Sequence, residues 1–236
     1  LHRRRHSFPT RRSSDLGLIP NLRFTEIDIQ AMLTSGGYNG VLPSWFPAAG
    51  NSSGNDLIEI TNLGTASTLP EGVTFEQWTS STATSPAQSF TIPTGASSMA
   101  SGSSLFIQWG SPLTNDLVNN YYALGQSSYD QYTSGTAYGY IIKKNGVIID
   151  AVATNGFTFP AVAGVSSSDW SGTMASNSGL TGVTLIAADN NTASSWAVTS
   201  TTNPTSYGIL NPGVSANLPS TGNVSWSSIP SGFSGS

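Results

Sequence analysis

The chain of 236 residues has no cysteine, 13 prolines and 25 glycines, and only 8% of it is charged, against roughly a quarter in ordinary domains. Without cysteine there is no disulfide scaffold, thiolate metal centre or thiol nucleophile, and no apolar run approaches the roughly 18 to 20 residues of a membrane helix. Roughly a quarter of the residues are Ser or Thr, yet 37% are hydrophobic and 10% aromatic, enough for a buried core and a globular chain.

Residues 1–16, LHRRRHSFPTRRSSDL, hold Arg3, Arg4, Arg5, Arg11 and Arg12, five of the eight basic residues, together with both histidines. Nothing later is similar. Residues 6–16 resemble a translated sequencing adapter, and residues 1–16 are read as a non-native leader; the competing reading is a basic arm for nuclear import or nucleic acid. From residue 17 onward three basic and eleven acidic residues remain, a net charge of −8, with no histidine. That balance repels a phosphate backbone, so no nucleic-acid partner is expected. The chain starts without an initiator Met or a signal-peptide pattern, and a signal peptide lost from the N-terminus is the expectation.

Alternation of apolar and polar residues dominates the chain beyond residue 16. It predicts strands over residues 22–29, 56–62, 73–78, 89–92, 104–109, 137–143, 147–153 and 182–187, each bounded by Gly, Pro, Asn or Ser. Residues 115–124 place Leu117, Val118, Tyr121, Tyr122 and Leu124 at spacings that fit one helical face, with a loop or strand as the alternatives. The sharpest local signal is Asn145-Gly146, which favours the type I′ turn of a tight hairpin between apolar flanks. Residues 30–55 and 154–180 lack alternation and read as long surface loops. After Gly213 the chain turns into Ser, Pro, Gly and Asn, so residues 214–236 read as a linker or tail and residues 17–213 as one domain. About eight short strands point to an all-β sandwich or barrel.

The strands also carry a resemblance. FTEID (residues 24–28), NDLIEITNLGT (55–65), FTIPTGASSMASGSSLFIQW (90–109), KKNGVIIDAVA (143–153) and the stretch from Gly182 to Pro212-Gly213 through Trp196 resemble, in that order, the strand motifs of the lamin-tail domain family. The sequence departs from the family pattern at Ala187-Ala188, where a basic residue is usual, at the turn Leu69-Pro70-Glu71-Gly72, and in its long loops. The resemblance implies an immunoglobulin-like β-sandwich, found in bacteria on secreted and surface proteins, without a catalytic role of its own. In that family the positions of Glu26 and Glu59 belong to the framework.

Several motifs invite chemistry. Gly50-Asn51-Ser52-Ser53-Gly54 matches the nucleophile elbow of α/β-hydrolases, but that elbow needs a strand-turn-helix setting and a histidine base, and no histidine follows residue 6. Leu218-Pro219-Ser220-Thr221-Gly222 spells a wall-anchoring signal, yet residues 223–236 hold neither the apolar run nor the basic tail that accompany one. Glu26, Asp28, Glu59 and Glu76 sit in predicted strands, where buried carboxylates accept hydrogen bonds from the frame; a glycosidase would instead pair two acids about 5 to 9 Å apart, drawing on Glu76 or Asp150. Asp189-Asn190-Asn191 lacks the spacing of a calcium-binding loop and reads as a turn.

Aromatic residues on polar loops are the best sign of binding. Tyr38, Trp45 and Phe46 lie in the first long loop, and Tyr121, Tyr122, Tyr129 and Tyr132 in another region; such rings stack on sugars or anchor protein partners, or else cap the ends of a sandwich. The candidate binding residues are Tyr38, Trp45, Phe46, Tyr129 and Tyr132, with no catalytic residue, metal ligand or cofactor expected. The expected function is a non-catalytic interaction or structural module of a bacterial surface or secreted protein, with a protein or glycan partner. A carbohydrate-binding module or a sandwich glycosidase is the alternative.

Overall fold

The computed structural model describes residues 20–28, 56–109, 114–124, 136–174, 182–199, 207–208 and 210–216. The strands are β1 (Leu22–Asp28), β2 (Leu57–Asn62), β3 (Val73–Trp78), β4 (Gln88–Thr91), β5 (Ser104–Trp109), β6 (Tyr121–Leu124), β7 (Gly139–Lys144), β8 (Val147–Ala153), β9 (Val183–Leu185) and β10 (Trp196–Val198). They form a larger sheet in the order β10-β9-β1-β2-β5-β6 and a smaller one in the order β4-β3-β7-β8. Among the described residues the only helical segments are two single 3-10 turns, at Ala161–Ala163 and Ala193–Ser195. The chain is an all-β protein of two facing sheets.

Strand alternation builds the interior directly. Phe24 and Ile58 from the larger sheet meet Phe75 and Tyr140 from the smaller one, with Phe24 and Phe75 edge to face at 6.4 Å between ring centroids and Phe75 similarly set against Trp109 at 5.7 Å. Each such ring buries a large apolar area, and edge-to-face contacts add to that burial. The hairpin of β7 and β8 turns on Asn145 at φ 54° and Gly146 at φ 79°, the paired left-handed residues that a type I′ turn requires.

Two bulges join the sheets. In β1 the register passes from Phe24 opposite Ile60 to Glu26 opposite Glu59, leaving Thr25 as the extra residue. In β8 it passes from Asp150 opposite Ile142 to Ile148 opposite Lys143, leaving Ile149 extra. Of β1 only Glu26 and Ile27 pair with β9, and the first half of β1 approaches β8. There the Phe24 N–H donates to Asp150 Oδ2 at 2.8 Å and Arg23 Nη1 donates to the Ile149 carbonyl at 3.1 Å.

The structure corrects several expectations. Residues 116–120 make a single turn, in which the Asp116 carboxylate accepts the Val118 and Asn119 N–H groups, and Asn120 at φ 51° redirects the chain into β6. β6 runs parallel to β5, the strand alternative for residues 115–124, and its Tyr121 and Tyr122 are buried, not displayed on a loop. The short β10 adds an edge strand where no strand is predicted. Residues 154–174 are an irregular, largely exposed segment, as expected, but pinned to the core: Phe157 and Phe159 close over Gly139, and Ala163, Trp170 and Met174 are buried in the core cluster. The packed body also reaches past Gly213, since Val214 packs on the core and the Ala216 carbonyl accepts the Ser101 hydroxyl at 3.2 Å.

Candidate functional site

Tyr38, Trp45, Phe46, Tyr129 and Tyr132 lie outside the described residues, as do Gly50 to Gly54 and Leu218 to Gly222. Of the aromatic residues weighed with them, Tyr121 donates its hydroxyl to Gln108 Oε1 at 2.7 Å and Tyr122 to Asn120 Oδ1 at 3.1 Å. Burial pushes both phenols up, Tyr122 to about 12 and Tyr121 further. These two tyrosines are interior struts.

The carboxylates fall into three groups. On the outer side of the smaller sheet, Glu76 takes Lys143 Nζ on both oxygens, at 3.0 and 2.9 Å, and the Trp78 indole N–H at 3.0 Å. This is a cross-strand diagonal pair of the kind that tunes strand pairing.

Where the two sheets meet, Arg23 stands between two acids. Its Nε lies 3.0 Å from Asp189 Oδ2, while Asp150 accepts the Phe24 and Ala151 N–H groups, each at 2.8 Å. Burial, followed by the charge of Asp189, raises Asp150 well above the ordinary carboxylate range, against the lowering effect of Arg23 and the two N–H donors. Asp189 also caps its own turn: its Oδ1 accepts the Asn191 N–H at 3.0 Å, and Asn191 sits at φ 59°. Asn190 Oδ1 receives the hydroxyls of Thr192 and Ser195, both at 2.6 Å. This turn uses its polar side chains within the fold, as Asx-rich turns do.

The third group is on the outer side of the larger sheet. Glu26 and Glu59 stand directly opposite each other on β1 and β2, both essentially without exposure (0% and 1%). Glu59 Oε1 lies within hydrogen-bond reach of Thr25, Thr61 and Ser104, at 3.1, 3.0 and 2.8 Å, and Oε2 accepts the Gly208 N–H at 3.0 Å. Burial raises Glu59 above its ordinary value, and the Gly208, Ser104, Thr61 and Thr25 bonds oppose it. Asn211 reaches in from the same C-terminal segment and donates through Nδ2 to Thr184 Oγ1 at 2.7 Å and to the carbonyls of Thr25 and Leu185, both at 3.0 Å. Residues 207–208 and 210–216 thus form a strap across this face.

The side chain of Asp28 falls outside the described part. Among the described residues no cluster of three or more His, Cys, Asp or Glu could hold a metal ion, and no helix is long and apolar enough to cross a membrane. Sequence reasoning missed Arg23, Asn211 and Asn62. Asn62 Nδ2 donates to the carbonyls of Ala66, Met99 and Ala100 while its Oδ1 accepts the Gly64 N–H, which explains why Asn-Leu-Gly closes β2. Of the three, Arg23 alone left a trace in the chain, as a lone cation inside an alternating strand. Comparison with known proteins gives no match: no family model, no curated protein and no solved structure matches the chain.

Proposed function

We propose that this chain is a lamin-tail-like, immunoglobulin-like β-sandwich acting as a non-catalytic interaction or structural module of a bacterial secreted or surface protein. One observation carries the reading: Glu59, Glu76, Asp150 and Asp189 each hold strands, turns or the strap together, with backbone N–H groups, hydroxyls, an indole or a cation on their oxygens. An acid that works in general acid-base catalysis must reach a substrate proton, and these side chains are spent on the frame. The ordered strand motifs support the family likeness, and a surface rich in Ser, Thr and Asn fits an extracellular setting.

In this reading Tyr38, Trp45, Phe46, Tyr129 and Tyr132 make the contacts, with a glycan or a protein as partner. The test applies the full chain to a glycan array and to a panel of purified extracellular proteins, beside the variants Trp45→Ala and Tyr129→Ala. Binding that weakens at least tenfold in either variant, at an unchanged unfolding midpoint, is the expected result. Binding indifferent to both variants would remove the assigned contact residues, and release of a sugar product would favour the glycosidase alternative.

A further inference from the structure

The described residues hold two Asn-Gly pairs in the same backbone form. Asn145 and Gly146 take φ of 54° and 79°, and Asn155 and Gly156 take 49° and 74°. A third pair, Asn39-Gly40, lies outside the described residues. Asparagine is a thermolabile residue, and a following glycine exposes it most. With no Cβ beside it, the glycine nitrogen meets the side-chain carbonyl carbon of the asparagine unhindered.

The surroundings set the two pairs apart. Asn155 Nδ2 donates to the Thr136 carbonyl at 2.7 Å, and the Phe157 N–H closes the turn on the Thr154 carbonyl at 2.9 Å. The Phe157 ring packs over Gly139, and a Cβ built at Gly156 would lie 3.4 Å from Thr173 Cγ2. This turn is tied into the body on every side. Asn145 and Gly146 are instead both exposed at the tip of the β7–β8 hairpin, and nothing stands within 4 Å of a Cβ built at Gly146. No described residue holds the Asn145 carboxamide by a hydrogen bond. An untied tip opens locally at lower free energy than a turn pinned to the core, and such openings let the two reacting atoms meet.

We propose that Asn145 is a site of spontaneous deamidation, that it outpaces Asn155 in the folded protein because its tip is untied, and that the isoaspartate formed there loosens the β7–β8 hairpin. The Gly146 nitrogen bonds to Asn145 Cγ and the Cγ–Nδ2 bond breaks, so that Nδ2 leaves as ammonia with the former Gly146 amide proton. The cyclic imide that remains takes up one water. Opening at Cγ gives aspartate; opening at the main-chain carbonyl gives isoaspartate, in which the chain runs through Cβ and Cγ. Aspartate keeps the turn, because Asn and Asp both tolerate the left-handed backbone. Isoaspartate inserts a methylene into a two-residue loop that sets Lys144 directly opposite Val147, and that pair is the first to be spread.

The test incubates the full chain in oxygen-18 water at mildly alkaline pH, folded and in parallel unfolded in urea, and locates the incorporated label by peptide mass spectrometry. In the folded chain residue 145 should take up label roughly tenfold faster than residue 155, and unfolding should bring the two rates together. Gly146→Ala puts a Cβ beside the attacking nitrogen, and it should slow labelling at residue 145 roughly tenfold while leaving residue 155 as it was. The isoaspartate form, separated by ion-exchange chromatography, should exchange the backbone hydrogens of β7 and β8 faster than Asn145→Asp does. An unlabelled residue 145, a residue 155 that keeps pace in the folded chain, a difference that survives in urea, or equal hydrogen exchange in the two forms would each overturn the proposal. The wild-type rates decide even if Gly146→Ala does not fold.

Discussion

Asp150 shows how much a single side chain carries at the junction of the sheets. Its oxygens receive the Phe24 N–H from β1 and the Ala151 N–H from its own strand, so Asp150→Ala strands two buried donors and leaves Arg23 with one acid fewer. The expected loss is about 2 to 5 kcal/mol of unfolding free energy, read from urea denaturation. Its titration adds a pH dependence whose sign follows from burial and the neighbouring Asp189. The folded protein holds the Asp150 proton to a higher pH than the unfolded chain, so this contribution is fully present below the ordinary value of 3.8 and is lost as pH rises through the raised folded value. Within that window the slope approaches about 1.4 kcal/mol per pH unit. Urea midpoints measured upward from pH 4 should fall in the wild type, and the fall should be shallower in Asp150→Asn. At Asn62, three donated bonds and one accepted bond knot the end of β2 to residues 64–100, and Asn62→Ala should cost about 2 to 3 kcal/mol by the same assay.

At the scale of elements, period-two alternation was enough to place β2, β3, β5 and β8, because each has one face against the core and a turn signal at its end. The Asn145-Gly146 hairpin was legible for a different reason: few residues other than Asn and Gly take left-handed angles in succession. Gly146→Ala should therefore cost roughly 1 kcal/mol in thermal or urea unfolding, although open space surrounds a Cβ there. Gly139 is the opposite case. Its backbone angle is ordinary, but an added Cβ would run into the rings of Phe157 and Phe159, so Gly139→Ala should cost about 1 to 3 kcal/mol through overpacking. That close approach was invisible in the sequence, since the partners come from a segment without alternation. β6 and β10 were hidden too. The parallel pairing of β6 depends on the Asp116 turn and on Asn120, not on any pattern within Tyr121–Leu124, and β10 lies in a stretch whose Ser, Thr and Asn give no alternation.

Across the whole molecule, the balance of eleven acids and three cations beyond residue 16 makes the placement of each carboxylate a structural decision. The fold gives two of its cations to acids, Arg23 to Asp189 and Lys143 to Glu76, and surrounds Glu59 with hydroxyls and a backbone N–H. That Glu26 and Glu59 belong to the frame was an implication of the family resemblance, and their burial on adjacent strands agrees with it. That they are directly opposed could not be read from the sequence, because the Thr25 bulge sets the register and nothing in the local sequence marks it. In the proposed function these acids hold sheets together and perform no chemistry. The most direct test is product release from a broad glycan panel by the full chain, run beside Glu76→Gln and Asp150→Asn. No release above buffer is expected from any of the three proteins. Release by the wild type that disappears in either variant would contradict the proposed role of these acids.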